Sequence, residues 1–440
     1  MSAKLTPAQI RTAFNRAVSE TTQLKQLFSM DPHTNFSRER KLTFSKLLQL
    51  ILSLSSHSMP VEINNFFSSS DDLPSTPAVF QRRKNLLPDA FLYLFHSFME
   101  SVPLPAANGL RMIAVDSSTT ALPRNCDDPA TFIQAKPGLS DYNAAVINAF
   151  FDINNHVYTD FVVESFTDRD DTRALFSMTD RLRDPSSVLI VGDRYYGVMN
   201  VIANMLHRNI HFLFRCKDIS SNGFAAAFGL PDTSFDIQIT KTLTKSKKKA
   251  FRNDPNYYVV QANTIDLLDS NHPFQKVSFR LVRFRIPNSD RFELIATDLP
   301  ADSYPAAVIA DIYHARWGIE TSFRSLKFDL SLLHFHSGRM QFILQEIFAS
   351  FIVYNFASLI SSCVPEHITT PRKKPVASRC HVNFALAVSV AIRFLLDRIS
   401  PHDVLSRLRS SIIPFRPARP NTRKNHMNKQ PAKPYNYRAS

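Results

Sequence analysis

The most constraining feature of this sequence is a regular succession of strand-like and helix-like segments between residues 111 and 214. Three runs rich in β-branched and aromatic residues come first, and segments with helical periodicity then alternate with further strands. The strands are expected at 112–115, 144–153, 157–163, 188–191 and 210–214, and the helices at 172–182 and 198–206. This βββαβαβ order predicts a mixed sheet with helices on its faces.

Two aspartates mark the ends of strands in this succession. Asp116 follows the first predicted strand, and Asp193 follows the fourth. A single aspartate at a strand end is most often a cap or turn residue. The order of the elements, with an acid after each of these two strands, is nevertheless that of the ribonuclease H-like fold, although a fold alone assigns no function.

The 440 residues are enough for roughly two to four domains. A cap signal at Thr6 and Pro7 opens a helical region, and strand-like pieces later break the α/β alternation. We predict an α/β ribonuclease H-like core, a mixed sheet flanked by helices, with a β-rich insertion, an N-terminal helical domain and C-terminal helices. The divisions are the helical domain at 1–105, the first part of the core at 106–217, the insertion at 218–300, the second part of the core at 301–362, and a C-terminal helix with a basic tail at 363–440.

Composition narrows the class of protein. With 44% hydrophobic and 20% charged residues, the chain can bury a real interior and is expected to be globular. Its 52 basic and 38 acidic side chains give a net charge of +14, which favours an anionic polymer or an anionic membrane as a partner. The 8 glycines form neither a dinucleotide-binding motif nor a P-loop, which argues against a kinase, an ATPase or a Rossmann dehydrogenase.

Cysteine placement and apolar segments bear on the compartment. The four cysteines form no CxxC pair, which argues against a zinc site and a disulfide framework and fits a reducing cytoplasm. The N-terminal residues lack the pattern of a signal sequence. The most apolar run, 347–364, is broken by Asn355 and several serines, so a buried helix is predicted there. We expect a cytoplasmic protein with no membrane partner.

Three basic regions are candidate contacts for a nucleic acid. A short helix that opens at Thr76 and Pro77 suits a DNA major groove or, equally, a solvated helix face. Its polar residues are Gln81, Arg82, Arg83 and Lys84. The lysine run at 245–249 is by default a solvated loop, and the tail at 414–440 has the composition to neutralise phosphates.

The segment from Tyr313 to Lys327 contains no proline and is predicted to form one helix. At about 100° per residue, its buried stripe comprises Ile312, Ala315, Ile319, Phe323, Leu326 and Leu330. A neighbouring stripe comprises Tyr313, Arg316, Glu320 and Lys327. A ladder of i,i+4 ion pairs explains this stripe, and so does a site in which an acid holds a metal ion while its neighbours bind a polyanion.

The spacing of these four residues, Y-x2-R-x3-E-x6-K, resembles the signature of a subgroup of the DDE transposases of bacterial insertion sequences, the insertion-sequence-four group. The residues from Tyr313 to Glu320 are also similar to that family in their intervening sequence. By the same resemblance, Asp116 matches the first acid of the family and Asp193 matches the second. Tyr195 departs from the pattern, because many relatives have glycine there.

The resemblance implies a function and its requirements. Asp116, Asp193 and Glu320 are the implied catalytic acids, and they would hold two divalent ions, Mg²⁺ or in its place Mn²⁺, that cut and rejoin phosphodiester bonds. The implied DNA-binding residues are Tyr313, Arg316, Arg324 and Lys327. The implied partners are double-stranded DNA, as terminal inverted repeats and as target, and a second copy of the chain on that DNA. The implied setting is the bacterial nucleoid.

Two finer features of the family are also implied. Cleavage of the second strand would proceed through a hairpin, and the insertion would hold a displaced base on an aromatic platform. The candidates for that platform are Tyr257, Phe279 and Phe284.

Two other classes of protein stay open on sequence grounds. A ribonuclease H-like nuclease that cuts without joining needs the same acids. A non-catalytic DNA-binding regulator derived from a transposase needs only residues 1–105, although three intact acids argue against such decay. A strand-transfer assay separates the first alternative from a transposase.

Overall fold

The structure of this chain is a computed structural model that describes residues 5–38, 40–67, 73–106, 109–135, 137, 140–260, 265–287, 289–365 and 380–414. The helices in these ranges are α1 (Pro7–Gln23), α2 (Phe44–Leu52), α3 (Met59–Phe67), α4 (Thr76–Lys84), α5 (Asp89–Glu100), α6 (Asp171–Thr179), α7 (Met199–His207), α8 (Lys249–Asn253), α9 (Ala306–Ala315), α10 (Trp317–Phe328), α11 (Met340–Ser362), α12 (Phe384–Leu395) and α13 (Pro401–Arg409). The strands are β1 (Arg111–Leu122), β2 (Phe132–Ile133), β3 (Tyr142–Asp152), β4 (Val157–Ser165), β5 (Val188–Gly197), β6 (His211–Cys216), β7 (Phe235–Thr244), β8 (Tyr257–Val259), β9 (Phe274–Arg285), β10 (Phe292–Thr297), β11 (Cys380–Val382) and β12 (Ile412–Pro414).

Ten strands of the described chain form one mixed sheet in the order β2-β3-β1-β5-β6-β10-β9-β7-β8, with β4 paired to β3 as well. β1 is antiparallel to β3 and parallel to β5, and β5 is parallel to β6. The succession of strands and helices predicted between residues 111 and 214 is confirmed, and the short strand β2 is an addition to it. The chain therefore has a mixed sheet flanked by helices.

The β-rich segment at 218–300 continues this sheet. β10 pairs with β6, β9 pairs with β10, and β7 pairs with β9, all antiparallel. The strands predicted in this segment, at 235–239, 257–261, 277–286 and 292–297, are confirmed as β7, β8, β9 and β10, although Gln261, the last residue of the second prediction, lies outside the described residues. The domain divisions themselves stay a prediction, because the same hydrogen-bond ladder runs through core and insertion.

Apolar side chains form two clusters, one on each face of the sheet. Ala114 and Val191 belong to the cluster that contains the N-terminal helices and α9 to α13. Val115 and Ile190 belong to the cluster that contains α6 and α7. Because successive residues of a strand face opposite sides, this alternation decides which side chains of β1 and β5 face the helices of each cluster.

The central helix of the first cluster is α11. It is the one helix in the described ranges that is long and apolar enough to cross a membrane, but 83% of its most apolar window is buried inside the fold. Asn355 in its middle accepts a hydrogen bond from the backbone N–H of Tyr158 at 2.8 Å and donates one to the Tyr158 carbonyl at 2.7 Å. The polar residue that interrupts the apolar run thus ties α11 to β4, as expected for the buried helix that the sequence predicts.

Arg83 of α4 is fully buried against α11. Its guanidinium donates to the Glu346 carboxylate at 2.9 Å, to the Gln345 side chain at 3.1 Å and to the Phe342 carbonyl at 3.1 Å. A buried arginine is tolerated only with such pairing. The contact fixes α4 to the centre of the helical layer.

This packing corrects the expectation for two of the three cations of the 76–84 helix. Arg82 also turns inward, where its guanidinium donates to the Leu42 carbonyl at 3.1 Å and lies 4.4 Å from the centre of the Phe36 ring. Only Gln81 and Lys84 of the four predicted contact residues are exposed. Arg82 and Arg83 therefore stabilise the fold, and the exposed face of the helix carries a single cation, Lys84.

His336 extends the buried charge network around Glu346. Its Nδ1 lies 2.9 Å from the Glu346 carboxylate, and its Nε2 lies 3.1 Å from the His57 carbonyl oxygen. Burial by itself would raise the pKa of Glu346, but Arg83 and His336 outweigh it and lower that pKa to about 2.

Removing the Arg83 charge should destabilise the protein strongly. Arg83→Met keeps an apolar stem of similar length but deprives buried Glu346 of a partner, so we expect the free energy of unfolding to fall by about 3–5 kcal/mol. Urea unfolding measures the change. The control is Lys84→Met on the exposed face of the same helix, which should shift it by less than about 0.5 kcal/mol. Equal small effects of the two substitutions would contradict the structural role of Arg83.

The Glu346 carboxylate should also make the fold sensitive to acid. Its pKa is about 2 in the folded chain against an ordinary value of 4.5. Between these values the unfolded chain binds more protons, so the contribution of Glu346 is complete above about pH 4.5 and is lost as the pH falls towards 2. We expect Glu346→Gln to flatten this acid limb in urea unfolding measured across that range, and Glu100→Gln, on an exposed side chain, to leave it unchanged.

Candidate active site

The pairing of β1 with β5 brings the two predicted aspartates together. The strands are parallel, with Val115 opposite Gly192. Asp116 and Asp193 each lie one residue further along, and neighbouring strands are about 4.8 Å apart. The two carboxylates therefore start from adjacent positions, one residue beyond the end of the parallel pairing and within strands that continue to Leu122 and Gly197.

Both side chains leave the sheet on the face that α10 covers. Asp116 lies two residues beyond Ala114, and Asp193 lies two residues beyond Val191. Ala114 and Val191 belong to the apolar cluster that includes Phe323 of α10. The period of two along a strand thus directs both acids towards this helix.

Backbone hydrogen bonds hold the two carboxylates in place. Asp116 Oδ1 accepts from the N–H of Ser117 at 2.8 Å, and Asp193 Oδ1 accepts from the N–H of Tyr195 at 2.8 Å. Beyond Asp193 the pairing of β5 with β6 shifts register before Gly197. A Cβ at Gly197 would lie 1.9 Å from the Arg215 carbonyl oxygen, so the strand returns to the sheet there only because this residue is glycine.

The single helix predicted from Tyr313 to Lys327 is wrong. The chain forms two helices, α9 and α10, that meet at Arg316. The Arg316 N–H bonds the Tyr313 carbonyl at 3.2 Å and the Ile319 N–H bonds the Arg316 carbonyl at 3.1 Å, which are the shorter i,i+3 bonds of a tightened turn. Ala315, predicted to be buried, is exposed, whereas Tyr313 and Arg316 are buried.

Arg316 connects the acid of α10 with the acid of β1. Its Nη2 donates to Glu320 Oε1 at 2.7 Å, and its Nη1 lies 3.5 Å from Asp116 Oδ2. The side chain of Arg316 is 6% exposed, and its guanidinium lies 5.7 Å from the centre of the Tyr313 ring. The structure thus brings together Asp116, Arg316 and Glu320 of the predicted site, next to Asp193.

The electrostatics of the site are those of crowded carboxylates. The pKa of Asp116 is raised to about 6, chiefly by burial and also by the charges of Asp193 and Glu320, whereas the Ser117 N–H and Arg316 act to lower it. Burial would lower the pKa of Arg316, but the hydrogen bond with Glu320 and the electrostatic contributions of Tyr313, Asp116 and Glu320 together outweigh burial and raise that pKa. The arginine therefore stays charged among the acids.

The donor set fits a divalent metal ion in chemical type. Asp116, Asp193 and Glu320 offer the hard oxygen ligands that Mg²⁺ and Mn²⁺ prefer. No three acidic, histidine or cysteine side chains of the described chain already lie at a spacing that could hold an ion. The positive charge between Asp116 and Glu320 is instead that of Arg316.

The remaining predicted DNA-binding residues differ in their surroundings. The Tyr313 hydroxyl contacts Arg215 of β6, which also pairs with Glu293 at 3.3 Å. Lys327 is half-buried, and burial lowers its pKa. Arg324 is exposed on the solvent side of α10. Of the predicted stripe, Tyr313, Arg316 and Glu320 therefore stay in contact across the turn at Arg316.

Sequence reasoning missed the contacts that hold α10 in place. The hydroxyls of Ser322 and Tyr158 lie 2.7 Å apart, and the hydroxyl of Tyr354 bonds Ser322 as well. Because Ser322 comes two residues after Glu320, these hydrogen bonds, called here the Ser322 anchor, fix the distance of the Glu320 backbone from the sheet. The three residues belong to distant segments, and no local pattern in the sequence could have connected them.

The three residues predicted as aromatic platforms differ in their burial. Phe279 is wholly buried in the second apolar cluster, so it is excluded as a platform, because a base cannot stack on it. Phe284 is half-buried against the first cluster. Tyr257 packs against Phe251 and Phe274, and Phe274 is 45% exposed. Successive residues of a strand alternate between its two sides, and β9 is covered on both sides there. Phe279 therefore faces inward, into the second apolar cluster.

Comparison with known proteins identifies the class. A family model described as Transposase DDE domain matches residues 107–356, and this chain belongs to that family. The matched range includes Asp116, Asp193 and Glu320. A cryo-EM structure of a piggyBac transposase synaptic complex with hairpin DNA is similar with a TM-score of 0.45 and 9% sequence identity, over 92% of this chain and 81% of that one. Curated protein sequences gave no match.

The raised pKa of the buried Asp116 carboxylate should be measurable in the free energy of unfolding. The pKa of Asp116 is about 6 in the folded chain against an ordinary 3.8, so the free energy of unfolding falls as the pH rises through that window. Asp116→Asn should therefore raise it at neutral pH by roughly 1–3 kcal/mol in metal-free buffer. Asp311→Asn, on an exposed side chain of α9, is the control. An unchanged or lower stability of Asp116→Asn would contradict the electrostatic strain.

Proposed function

We propose that this chain is a DNA transposase that cuts and rejoins phosphodiester bonds with Asp116, Asp193 and Glu320 as its catalytic acids. The observation that carries the proposal is the meeting of these three acids at one edge of the sheet, within a chain of the Transposase DDE domain family. Two aspartates come from adjacent parallel strands, and the glutamate comes from the helix that covers them. This arrangement is what metal-dependent phosphoryl transfer requires.

The finer assignment is to the insertion-sequence-four group with a ribonuclease H-like core. The strand order β4-β3-β1-β5-β6, with a parallel pair after an antiparallel meander, supports the core assignment. The residue spacing that ends in Glu320 and Lys327 supports the subgroup. The transposition pathway would be cut-and-paste, with a hairpin as the intermediate of second-strand cleavage.

In the proposed mechanism, Asp116, Asp193 and Glu320 hold two divalent ions, Mg²⁺ or Mn²⁺. Such ions, when bound, activate the attacking oxygen and stabilise charge on the phosphate and the leaving oxygen. The chain supplies the alignment, because the parallel strands and the Ser322 anchor fix where the carboxylates stand. The residues that would bind DNA phosphates beside the acids are Tyr313, Arg316, Arg324 and Lys327.

The proposed partner is double-stranded DNA, bound as terminal inverted repeats and as target. The net charge of +14 and the exposed Lys247, Lys248 and Lys249 favour contact with phosphates. A homodimer on DNA follows from the need to cut two transposon ends together. The proposed setting is the bacterial cytoplasm, in association with the nucleoid.

Substitution of single acids tests the proposal. Asp193→Ala and Glu320→Ala should abolish Mg²⁺-dependent cleavage of DNA that carries the ends of the element, with end binding largely intact in a gel-shift assay. The control is Asp311→Ala, an exposed acid of α9 that should leave cleavage unchanged. Cleavage by either acid variant would remove these residues from the mechanism.

Strand transfer decides between a transposase and its alternatives. The wild-type chain should join a pre-cut 3′ end to plasmid DNA, and sequencing of the products should show a duplicated target on both sides. Cleavage without joining would identify a nuclease. Binding without cleavage would identify a regulator.

A further inference from the structure

We propose that Arg316 occupies the place of a cation between Asp116 and Glu320 in the ligand-free chain, so that divalent-ion binding requires Arg316 to leave these carboxylates. The inference rests on the proposed metal-binding role of the acids and adds a regulation of that site. A DNA phosphate that draws Arg316 away would make metal binding depend on DNA.

The geometry places one buried cation on two carboxylates. Arg316 Nη2 lies 2.7 Å from Glu320 Oε1, and Nη1 lies 3.5 Å from Asp116 Oδ2. The arginine side chain is 6% exposed, so water screens these contacts less than it would at the surface. Charge-assisted hydrogen bonds of this kind are among the stronger contacts of a protein.

The same contacts obstruct a metal ion. An ion held by Asp116 and Glu320 would take the carboxylate oxygens that Arg316 now engages, and its charge would repel the guanidinium at close range. In keeping with this, the described residues contain no ready group of three acidic, histidine or cysteine ligands. The arginine and the ion therefore compete for one site.

In its position between the carboxylates, Arg316 has one guanidinium nitrogen without a partner in the described chain. Nε is buried and makes no hydrogen bond within the described chain. A phosphodiester has several acceptor oxygens and can engage two edges of a guanidinium at once. The exchange of carboxylates for a phosphate would therefore satisfy Arg316 better and release both acids. By linkage, DNA and metal ion would then raise each other's affinity.

Binding of Mn²⁺ to the full chain, followed by electron paramagnetic resonance, tests the inference without reference to activity. Arg316→Gln should bind Mn²⁺ about tenfold more tightly than the wild type in the absence of DNA, the size expected for removal of a competing charge-assisted hydrogen bond. Arg316→Lys, which keeps the charge, should bind as weakly as the wild type. The matched control is Arg409→Gln, with the same charge change at an exposed arginine of α13.

A DNA duplex of arbitrary sequence provides the second arm. Its addition should raise the Mn²⁺ affinity of the wild type about tenfold and leave that of Arg316→Gln unchanged. An unchanged wild-type affinity would overturn the coupling, and this arm needs no variant to fold. Circular dichroism verifies that each variant is folded.

Failure of this inference is distinct from failure of the metal site. If Asp116→Asn lowers Mn²⁺ affinity but Arg316→Gln does not raise it, the site exists and the competition is refuted. If Asp116→Asn and Glu320→Gln leave Mn²⁺ binding unchanged, with and without DNA, the acids bind no metal. The proposed function then fails together with the inference.

Discussion

The candidate active site depends on one constraint, the parallel pairing of β1 with β5. That pairing sets Val115 opposite Gly192, and the next residue of each strand is an aspartate. A shift of one residue in either strand would turn its carboxylate to the opposite face of the sheet, away from α10. The register is fixed by the two apolar clusters, which bury alternate residues of both strands on opposite faces. The packing that buries alternate residues of the two strands therefore also fixes the positions of the acids.

Two arginines lie among carboxylates in this fold, and their surroundings give them different roles. Arg83 is sealed, with its side chain 0% exposed and that of its partner Glu346 8% exposed. The side chain of Arg316 is also buried, with 6% exposed, but that of its partner Glu320 is 34% exposed and opens to solvent. Because Arg83 and Glu346 are both buried, no incoming anion replaces this carboxylate, and the pair holds α4 and α11 together. Arg316 lies beside a partly exposed carboxylate, and in the proposed exchange an incoming phosphate takes the place of that carboxylate.

Prediction from sequence was successful where structure follows from local pattern. The strands of the core, the central helix α11 and the cap at Thr6 all carry their own signals of alternation, apolarity or hydrogen bonding. The prediction of one helix from Tyr313 to Lys327 was wrong, because the turn at Arg316 contains no proline or glycine to mark it. The exposure of the 76–84 helix was also misjudged. Nothing near Arg83 in the sequence indicates that a glutamate more than two hundred residues away will neutralise it.

The sequence by itself determined the order of strands and helices, the positions of Asp116 and Asp193 directly after apolar strand segments, and the spacing of Arg316 and Glu320 on neighbouring turns. These properties are local, since they depend on side-chain periodicity and on residues a few positions apart. Only the tertiary structure decided that Asp116 lies beside Asp193, that Ser322 is anchored by Tyr158, and that Arg316 connects two acids. Each of these contacts joins segments that are distant in the chain, and their geometry is fixed by the packing of helices on the sheet.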